Sequence, residues 1–149
     1  LLADSEGFAA VVDAIADHFK DAGITKVIGA EARGFMVGAP VARRLNAGFV
    51  PARKPGKLPR ETVSESYALE YGTDALEVHA DALSSDDVVL LVDDLVATGG
   101  TAVAQAHLVE RFGACLAGMG FLMELAFLDP RSVIAEASDV EVFSLVKVD

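Results

Sequence analysis

The sequence predicts an α/β fold with a central, mostly parallel sheet flanked by helices. Segments with strand-like and helix-like patterns alternate along the 149 residues, and this alternation is typical of parallel sheets. Residues 88–92 form a short, fully apolar and mostly β-branched run, as in a parallel strand covered on both faces. A chain of this length can bury a substantial core, so we expect one domain over residues 1–149.

The first half of the chain predicts two helices, two strands and a long loop. In order, these are a helix at 8–19, a strand at 27–30, a helix at 34–45, a strand at 49–52 and a loop at 53–64. Gly23 ends the first helix, and Pro40 distorts the second near its middle. The loop includes Pro55, Gly56 and Pro59, and loops of about a dozen residues are usually functional or mobile.

The second half predicts one further helix and several strands. In order, these are strands at 66–70 and 76–79 joined through 71–75, a strand at 88–92, a helix at 101–112 and strands at 116–125 and 140–146. Because the link 71–75 is rich in turn residues, we expect a hairpin at an edge of the sheet. Gly113 ends the third helix, and the apolar residues around Cys115 predict a buried thiol.

Composition excludes several classes of protein. Hydrophobic residues make up 52% and the mean hydropathy is +0.41, which argues against disorder, and no apolar run reaches the length of a membrane span. A single cysteine excludes an internal disulfide and a cysteine metal cluster. A net charge of −11 argues against nonspecific nucleic-acid binding. We therefore expect a cytoplasmic protein without nucleic-acid or membrane partners.

Positive charge is concentrated in one segment of this acidic chain. Seven basic residues and no acid lie between Arg33 and Arg60. Arg43 and Arg44 are explained as the solvated face of a helix. The remaining cations predict a site for a small polyanion.

A sugar-phosphate site is predicted where strand 88–92 ends. Asp93 and Asp94 follow the strand, and residues 97–101, Ala-Thr-Gly-Gly-Thr, lead into a helix whose first N–H groups can bind phosphate. Two carboxylates beside a phosphate cradle indicate a ligand with hydroxyls and phosphate, such as a ribose 5-phosphate. The segment matches neither the dinucleotide fingerprint nor the NTPase loop. The alternative is a plain strand–turn–helix corner whose acids cap the helix.

Three other segments contain candidate site residues. Arg33, in the segment 29–35 that ends at Phe35, could clamp a phosphate or form a salt bridge with Glu31. The predicted loop 53–64 includes Arg53, Lys54 and Lys57. It could close over a diphosphate leaving group, or it could be a solvated linker. Glu70 could transfer a proton if burial raised its pKa, or be a carboxylate on the hairpin surface.

In this order, the segments 29–35, 53–59, 67–72 and 92–101 resemble the adenine phosphoribosyltransferases, within the type I phosphoribosyltransferase family. The resemblance extends over nearly all of the chain. It implies the type I fold, with an edge hairpin and a flexible catalytic loop. It also implies transfer of a phosphoribosyl group from phosphoribosyl diphosphate (PRPP) to adenine, which yields AMP and diphosphate.

The resemblance also implies a role for each candidate residue. Asp93 and Asp94 would bind the ribose hydroxyls, and the 5′-phosphate would be held by Ala97, Thr98, Gly99, Gly100 and Thr101. Arg33, Arg53, Lys54 and Lys57 would face the diphosphate. Glu70 would transfer the proton, and Phe35 and Tyr71 complete the substrate-binding set, with Tyr71 covering the site. Mg²⁺ would bridge ligand oxygens without an all-protein cage, and the protein would be a homodimer.

Two alternatives to this function stay open at this point. One is a phosphoribosyltransferase for another base, such as hypoxanthine, xanthine or orotate. The other is a non-catalytic regulator on the same fold that senses PRPP or a nucleotide. The chain begins at Leu1-Leu2-Ala3-Asp4, which resembles the middle of the family's early segment. We therefore expect the N-terminal hood that helps to select the base to be absent from this sequence.

Overall fold

A five-stranded parallel sheet forms the centre of the protein in the computed structural model, which describes residues 1–69 and 71–149. In chain order the elements are α1 Ser5–His18, β1 Lys26–Ala30, α2 Arg33–Arg44, β2 Gly48–Ala52, β3 Thr62–Leu69, β4 Gly72–His79, β5 Val88–Val96, α3 Gly100–Arg111, β6 Cys115–Leu125, α4 Pro130–Ala137 and β7 Glu141–Val148. The central strands lie in the order β2-β1-β5-β6-β7, and every neighbouring pair is parallel. The predicted α/β class with a parallel sheet is confirmed.

Alternating residues of the central strands pack into two cores on opposite faces of the sheet. Val27, Leu90 and Val92 pack with α1 and α2 in one core. Ile28 and Leu91 pack with α3 and the hairpin in the other. Successive side chains of a strand point to opposite faces, so a fully apolar run such as 88–92 requires cover on both.

The strand order creates a crevice between β1 and β5. From β1 the chain proceeds through α2 to β2 on one side, and β5 then pairs with the other side of β1. Open α/β sheets bind ligands at such a switch point, outside the carboxyl ends of the strands. The crevice therefore brings together the segments that follow Ala30 and those that end β5.

The hairpin lies beside an edge of the central sheet, as predicted, but differs from the prediction in extent. β3 and β4 form a separate two-stranded sheet, and Glu77 of β4 bridges to Arg53, the residue that follows the edge strand β2. Residues 72–75 belong to β4, because they pair with β3 from Gly72 opposite Leu69 to Ala75 opposite Ser66. Since β3 begins at Thr62, the loop that follows β2 is also shorter than predicted. The expectation for Glu70 lies outside the described residues.

Several other boundaries differ from the predictions. β5 continues through Asp93 and Asp94 to Val96, because it pairs with β6 over this length. Helix α2, in contrast, includes Pro40 in its interior, as predicted. Cys115 is exposed at the start of β6, so the predicted burial is wrong. Helix α4 and the short 3-10 turn Ala126–Leu128 before it were not predicted. None of the helices in the described part of the chain is long and apolar enough to cross a membrane.

Candidate active site

A cavity of about 480 Å³ occupies the crevice at the carboxyl ends of β1 and β5. Its lining includes most of the residues expected to form a site, namely Arg33, Lys54, Asp93, Asp94, Ala97, Thr98, Gly99, Gly100 and Thr101. Ala30, Glu31, Tyr67, Ala68, Leu69, Asp74 and Leu95 complete the described lining. Residues from four separate segments of the sequence therefore face one volume.

The loop from Ala97 to Gly99 connects β5 to α3 and exposes the N-terminus of that helix to the cavity. Gly99 has a φ of +93°, and a Cβ at this position would lie 3.1 Å from the carbonyl oxygen of Pro130, so both conformation and space favour glycine. No side chain among residues 1–69 and 71–149 caps α3. The N–H groups of its first turn are thus available to a bound anion.

Asp93 and Asp94 lie side by side near the end of β5. Asp93 Oδ1 accepts a hydrogen bond from the Asp94 N–H at 2.8 Å. A Cβ on Gly34 would lie 3.0 Å from the same oxygen, so the start of α2 approaches this carboxylate closely. Burial, and then the hydrogen bond with the Asp94 side chain, raises the pKa of Asp93 to about 7. The two carboxylates therefore share a site in which one readily retains a proton near neutral pH.

Arg33 is the first residue of α2 and points toward this pair. Its Nε lies 3.1 Å from Asp94 Oδ2, and its side chain is 68% exposed. The alternative of a salt bridge from Arg33 to Glu31 is wrong, because Asp94 is the partner. Phe35, in the same first turn of α2, packs edge to face against Phe49 with ring centroids 5.7 Å apart and does not line the cavity.

The cations of the loop that follows β2 are paired with carboxylates. Glu31 Oε2 lies 2.6 Å from Lys57 Nζ, and Arg53 Nε lies 3.4 Å from Glu31 Oε1. Lys54 Nζ forms an ion pair with Asp74 and lies 3.3 Å from the Tyr67 hydroxyl. Because Arg53, Lys54 and Lys57 each have a carboxylate partner, they do not belong to a freely solvated linker.

Glu31 was considered only as an ion-pair partner of Arg33, and no role was predicted for Tyr67 or Asp74, although all three line the cavity. Glu31 and Tyr67 lie within segments that were singled out, which was the only available signal for them. Arg53 and Lys57 lie outside the described lining and reach it through Glu31. Tyr71 is 91% exposed and does not line the described cavity.

Four carboxylates line the cavity, and two of them, Glu31 and Asp74, are paired with lysines. Among residues 1–69 and 71–149 no group of three or more His, Cys, Asp or Glu side chains could hold a metal ion. The carboxylates of Asp93 and Asp94 are donors of the type that Mg²⁺ prefers, and this ion commonly keeps several ligands from water and substrate. The donor set therefore fits a Mg²⁺ ion held mainly by substrate oxygens.

The fold and the cavity define an α/β protein with an anion-binding helix N-terminus, a carboxylate pair and a cationic side at one switch point. The family model described as the phosphoribosyl transferase domain matches residues 1–147. The chain belongs to the phosphoribosyltransferase family. Within it, the relatives that resemble this chain over nearly its whole length are adenine phosphoribosyltransferases, which confirms the resemblance noted in the sequence.

Three of these relatives show how extensive the similarity is. The adenine phosphoribosyltransferase of Desulfitobacterium hafniense (strain Y51) is 54% identical over 147 residues, or 99% of this chain and 83% of the relative. The crystal structure of the Thermoanaerobacter pseudethanolicus adenine phosphoribosyltransferase matches with a TM-score of 0.94 at 46% identity, over 99% of this chain and 84% of that one. The Saccharomyces cerevisiae enzyme, solved with an imino-altritol bisphosphate and adenine, gives 0.87 at 40% identity, over 95% and 81%.

Proposed function

We propose that this protein transfers the 5-phosphoribosyl group of PRPP to adenine, yielding AMP and diphosphate in purine salvage. The observation that supports this most directly is the meeting of a phosphate cradle, a carboxylate pair and a group of cations around one cavity. The relatives' names favour adenine over hypoxanthine, xanthine and orotate, and favour an enzyme over a regulator.

In this proposal the cavity binds PRPP with its 5′-phosphate at the N-terminus of α3. The N–H groups and hydroxyls of residues 97–101 bind the phosphate, and the helix dipole favours its negative charge. Asp93 and Asp94 accept hydrogen bonds from the ribose hydroxyls. The raised pKa of Asp93 means that the pair can also donate one hydrogen bond near neutral pH. The sugar is thereby held through its 5′-phosphate and through its ribose hydroxyls.

The cationic side of the cavity would bind and stabilise the leaving diphosphate. The C1′–O bond breaks with its electron pair departing on diphosphate, while a base nitrogen forms the new bond to C1′ through an oxocarbenium-like centre. Arg33 and Lys54 line the cavity, and Arg53 and Lys57 lie beside it, so they can stabilise the growing negative charge. Mg²⁺ bound through PRPP oxygens near Asp93 and Asp94 would neutralise part of that charge.

The base must lose a proton when it joins the sugar. We propose, on the basis of the sequence resemblance, that Glu70 accepts this proton. Phe35 and Tyr71 are assigned to substrate binding on the same basis. Because neither lines the described cavity, their contact with substrate would require movement on binding. A homodimer and a cytoplasmic location belong to the proposal, with the family resemblance as their support. Light scattering on the purified chain tests the dimer.

A base-panel assay tests the proposed reaction. The purified protein is incubated with PRPP and Mg²⁺ and with adenine, hypoxanthine, xanthine or orotate, and nucleotide products are separated by chromatography. AMP formed from adenine, with release of one diphosphate per AMP, is the expected result. A nucleotide formed from another base in preference to AMP would redirect the assignment. Binding of PRPP without any product would favour the regulator.

A further inference from the structure

Glu31 is surrounded by cations that the proposed function assigns to diphosphate. Its side chain is only 12% exposed. Oε2 lies 2.6 Å from Lys57 Nζ, and Oε1 accepts a hydrogen bond of 2.7 Å from the Lys54 backbone N–H. These interactions, with the hydrogen bond from Lys57 the largest, hold the pKa of Glu31 below its ordinary value despite its burial. Glu31 is thus a charged carboxylate facing the cavity.

The ion pairs of Glu31 leave N–H donors of Arg53 and Lys57 that another anion could bind. Arg53 Nε lies 3.4 Å from Glu31 Oε1 without hydrogen-bond geometry, and it is a buried donor with no hydrogen-bond partner among the described residues. Lys57 has two further N–H donors beyond the one that Glu31 accepts. A diphosphate near these groups must either replace the carboxylate or lie beside a like charge, and both cost free energy.

We propose that the carboxylate of Glu31 competes with diphosphate for Lys57 and Arg53 and so weakens diphosphate binding by this enzyme. The inference rests on the proposed function, because it takes diphosphate as the ligand of these cations. Glu31 also holds the loop beside the cavity through the Lys54 N–H, and a glutamine can keep that hydrogen bond. Replacing only the charge therefore separates competition from loop positioning.

Glu77, on the neighbouring strand β4, offers a matched control that contacts the same loop. Its Oε1 accepts a hydrogen bond of 3.0 Å from the Gly56 N–H, and its Oε2 accepts one of 3.3 Å from the Thr62 hydroxyl. Glu77 forms no ion pair within the described part of the chain. Glu77→Gln thus removes a carboxylate charge near the loop without releasing a cation.

Titration calorimetry with diphosphate in the presence of Mg²⁺, and separately with AMP, tests the proposal on variants of this chain. Glu31→Gln should bind diphosphate about three- to tenfold more tightly than the wild type, a change of up to about 1.4 kcal/mol. Its affinity for AMP should change less than about twofold, as should the affinity of Glu77→Gln for diphosphate. Equal or weaker diphosphate binding by Glu31→Gln would overturn the inference and leave the proposed function intact.

Glu31→Asp provides a second variant that retains the charge and withdraws it by one methylene. It should bind diphosphate with an affinity between those of the wild type and Glu31→Gln. Weaker binding than the wild type would show that Glu31 assists diphosphate binding, and would overturn the inference even if Glu31→Gln failed to fold. Wild-type protein that bound neither AMP nor diphosphate would overturn the proposed function, and this inference with it.

Discussion

Arg33 Nε lies 3.1 Å from Asp94 Oδ2, so the first residue of α2 spans the crevice to the carboxylate pair on β5. Because the Arg33 side chain is largely exposed, an ion pair of this kind contributes less than about 1 kcal/mol to stability. The pair therefore orders two side chains at the cavity rather than stabilising the fold. Substitutions at Asp94 should affect ligand binding far more than folding.

Asp94→Asn should weaken PRPP binding by about ten- to a hundredfold, because hydrogen bonds to a charged group contribute about 1.5–3 kcal/mol. The melting temperature should change little. Titration calorimetry with PRPP and thermal denaturation measure the two quantities. Asp86→Asn is the matched control, since Asp86 is exposed on a turn away from the cavity. Unchanged PRPP affinity in Asp94→Asn would remove Asp94 from the ribose site.

Replacing both Lys54 and Lys57 by alanine should lower turnover more than it lowers AMP affinity. AMP has no diphosphate, so its contacts with residues 97–101 should survive, whereas the leaving group loses two cations. We expect turnover to fall about a hundredfold or more, with less than about a threefold change in the Kd of AMP. The control Lys20→Ala/Arg43→Ala removes two exposed charges outside the cavity. Equal losses in turnover and AMP affinity would indicate a general charge effect.

The pKa of about 7 for Asp93 predicts a pH dependence of stability. Between pH 4 and pH 7 the folded protein holds a proton that the unfolded chain, with an ordinary pKa of 3.8, has released. The free energy of unfolding should therefore fall as the pH rises through this interval. Asp93→Asn removes this titration, so its stability relative to the wild type should increase by more than about 1.4 kcal/mol from pH 4 to pH 7.5.

Urea denaturation of the wild type and Asp93→Asn at several pH values measures this difference. Asp86→Asn again serves as the control, because its carboxylate is exposed. Parallel stability profiles for the wild type and Asp93→Asn would show that Asp93 does not retain its proton in the folded state.

Glu70→Gln should lower turnover about a hundredfold and flatten one limb of its pH profile, because glutamine cannot accept the proton of the incoming base. This prediction depends on the sequence alone. Steady-state rates with adenine across pH 5–9 provide the measurement. The control is Glu61→Gln, because Glu61 is an exposed acid in the loop before β3. Normal turnover in Glu70→Gln would exclude Glu70 from proton transfer.

Elements that depend on local sequence properties were predictable, whereas elements that depend on pairing between distant strands were not. The run 88–92 and the glycines at 99 and 100 specify a buried strand and a helix start through burial and turn conformation, both local properties. The continuation of β5 through Asp93 and Asp94 depends on pairing with β6, which brings Asp93 opposite Phe121. Since polar residues interrupt the apolar pattern, periodicity alone ended the strand too early.

Most of the candidate residues line the cavity, but the ion-pair partners of the lysines were not predicted. Lys54 pairs with Asp74, 20 residues later, and Lys57 pairs with Glu31, 26 residues earlier. Such pairs arise where the hairpin and β1 meet the loop, so spacing in the sequence does not predict them. Phe35 illustrates the opposite case, in which an apolar residue of a binding motif packs against Phe49 in the structure.

Glu124 is a buried carboxylate that forms an ion pair with Arg131. It is 2% exposed near the end of β6 and accepts hydrogen bonds of 2.8 Å from both Nε and Nη2 of Arg131. The Ser144 hydroxyl donates a third bond of 2.7 Å. Arg131 also donates to the Val142 carbonyl, so this cluster connects α4 to β6 and β7.

Glu124→Gln should destabilise the protein by about 2 kcal/mol, because it weakens hydrogen bonds to a charged group, while Arg131, which is 40% exposed, remains partly hydrated. Ser144→Ala, which removes only the hydroxyl bond, should cost about 1 kcal/mol and is the matched control. Urea denaturation at pH 7 measures both. The pKa of Glu124 is held below its ordinary value of 4.5, first by Arg131, so its contribution should be present above that value and lost as the pH falls below it. A Glu124→Gln protein as stable as Ser144→Ala would show that the ion pair adds little to the fold.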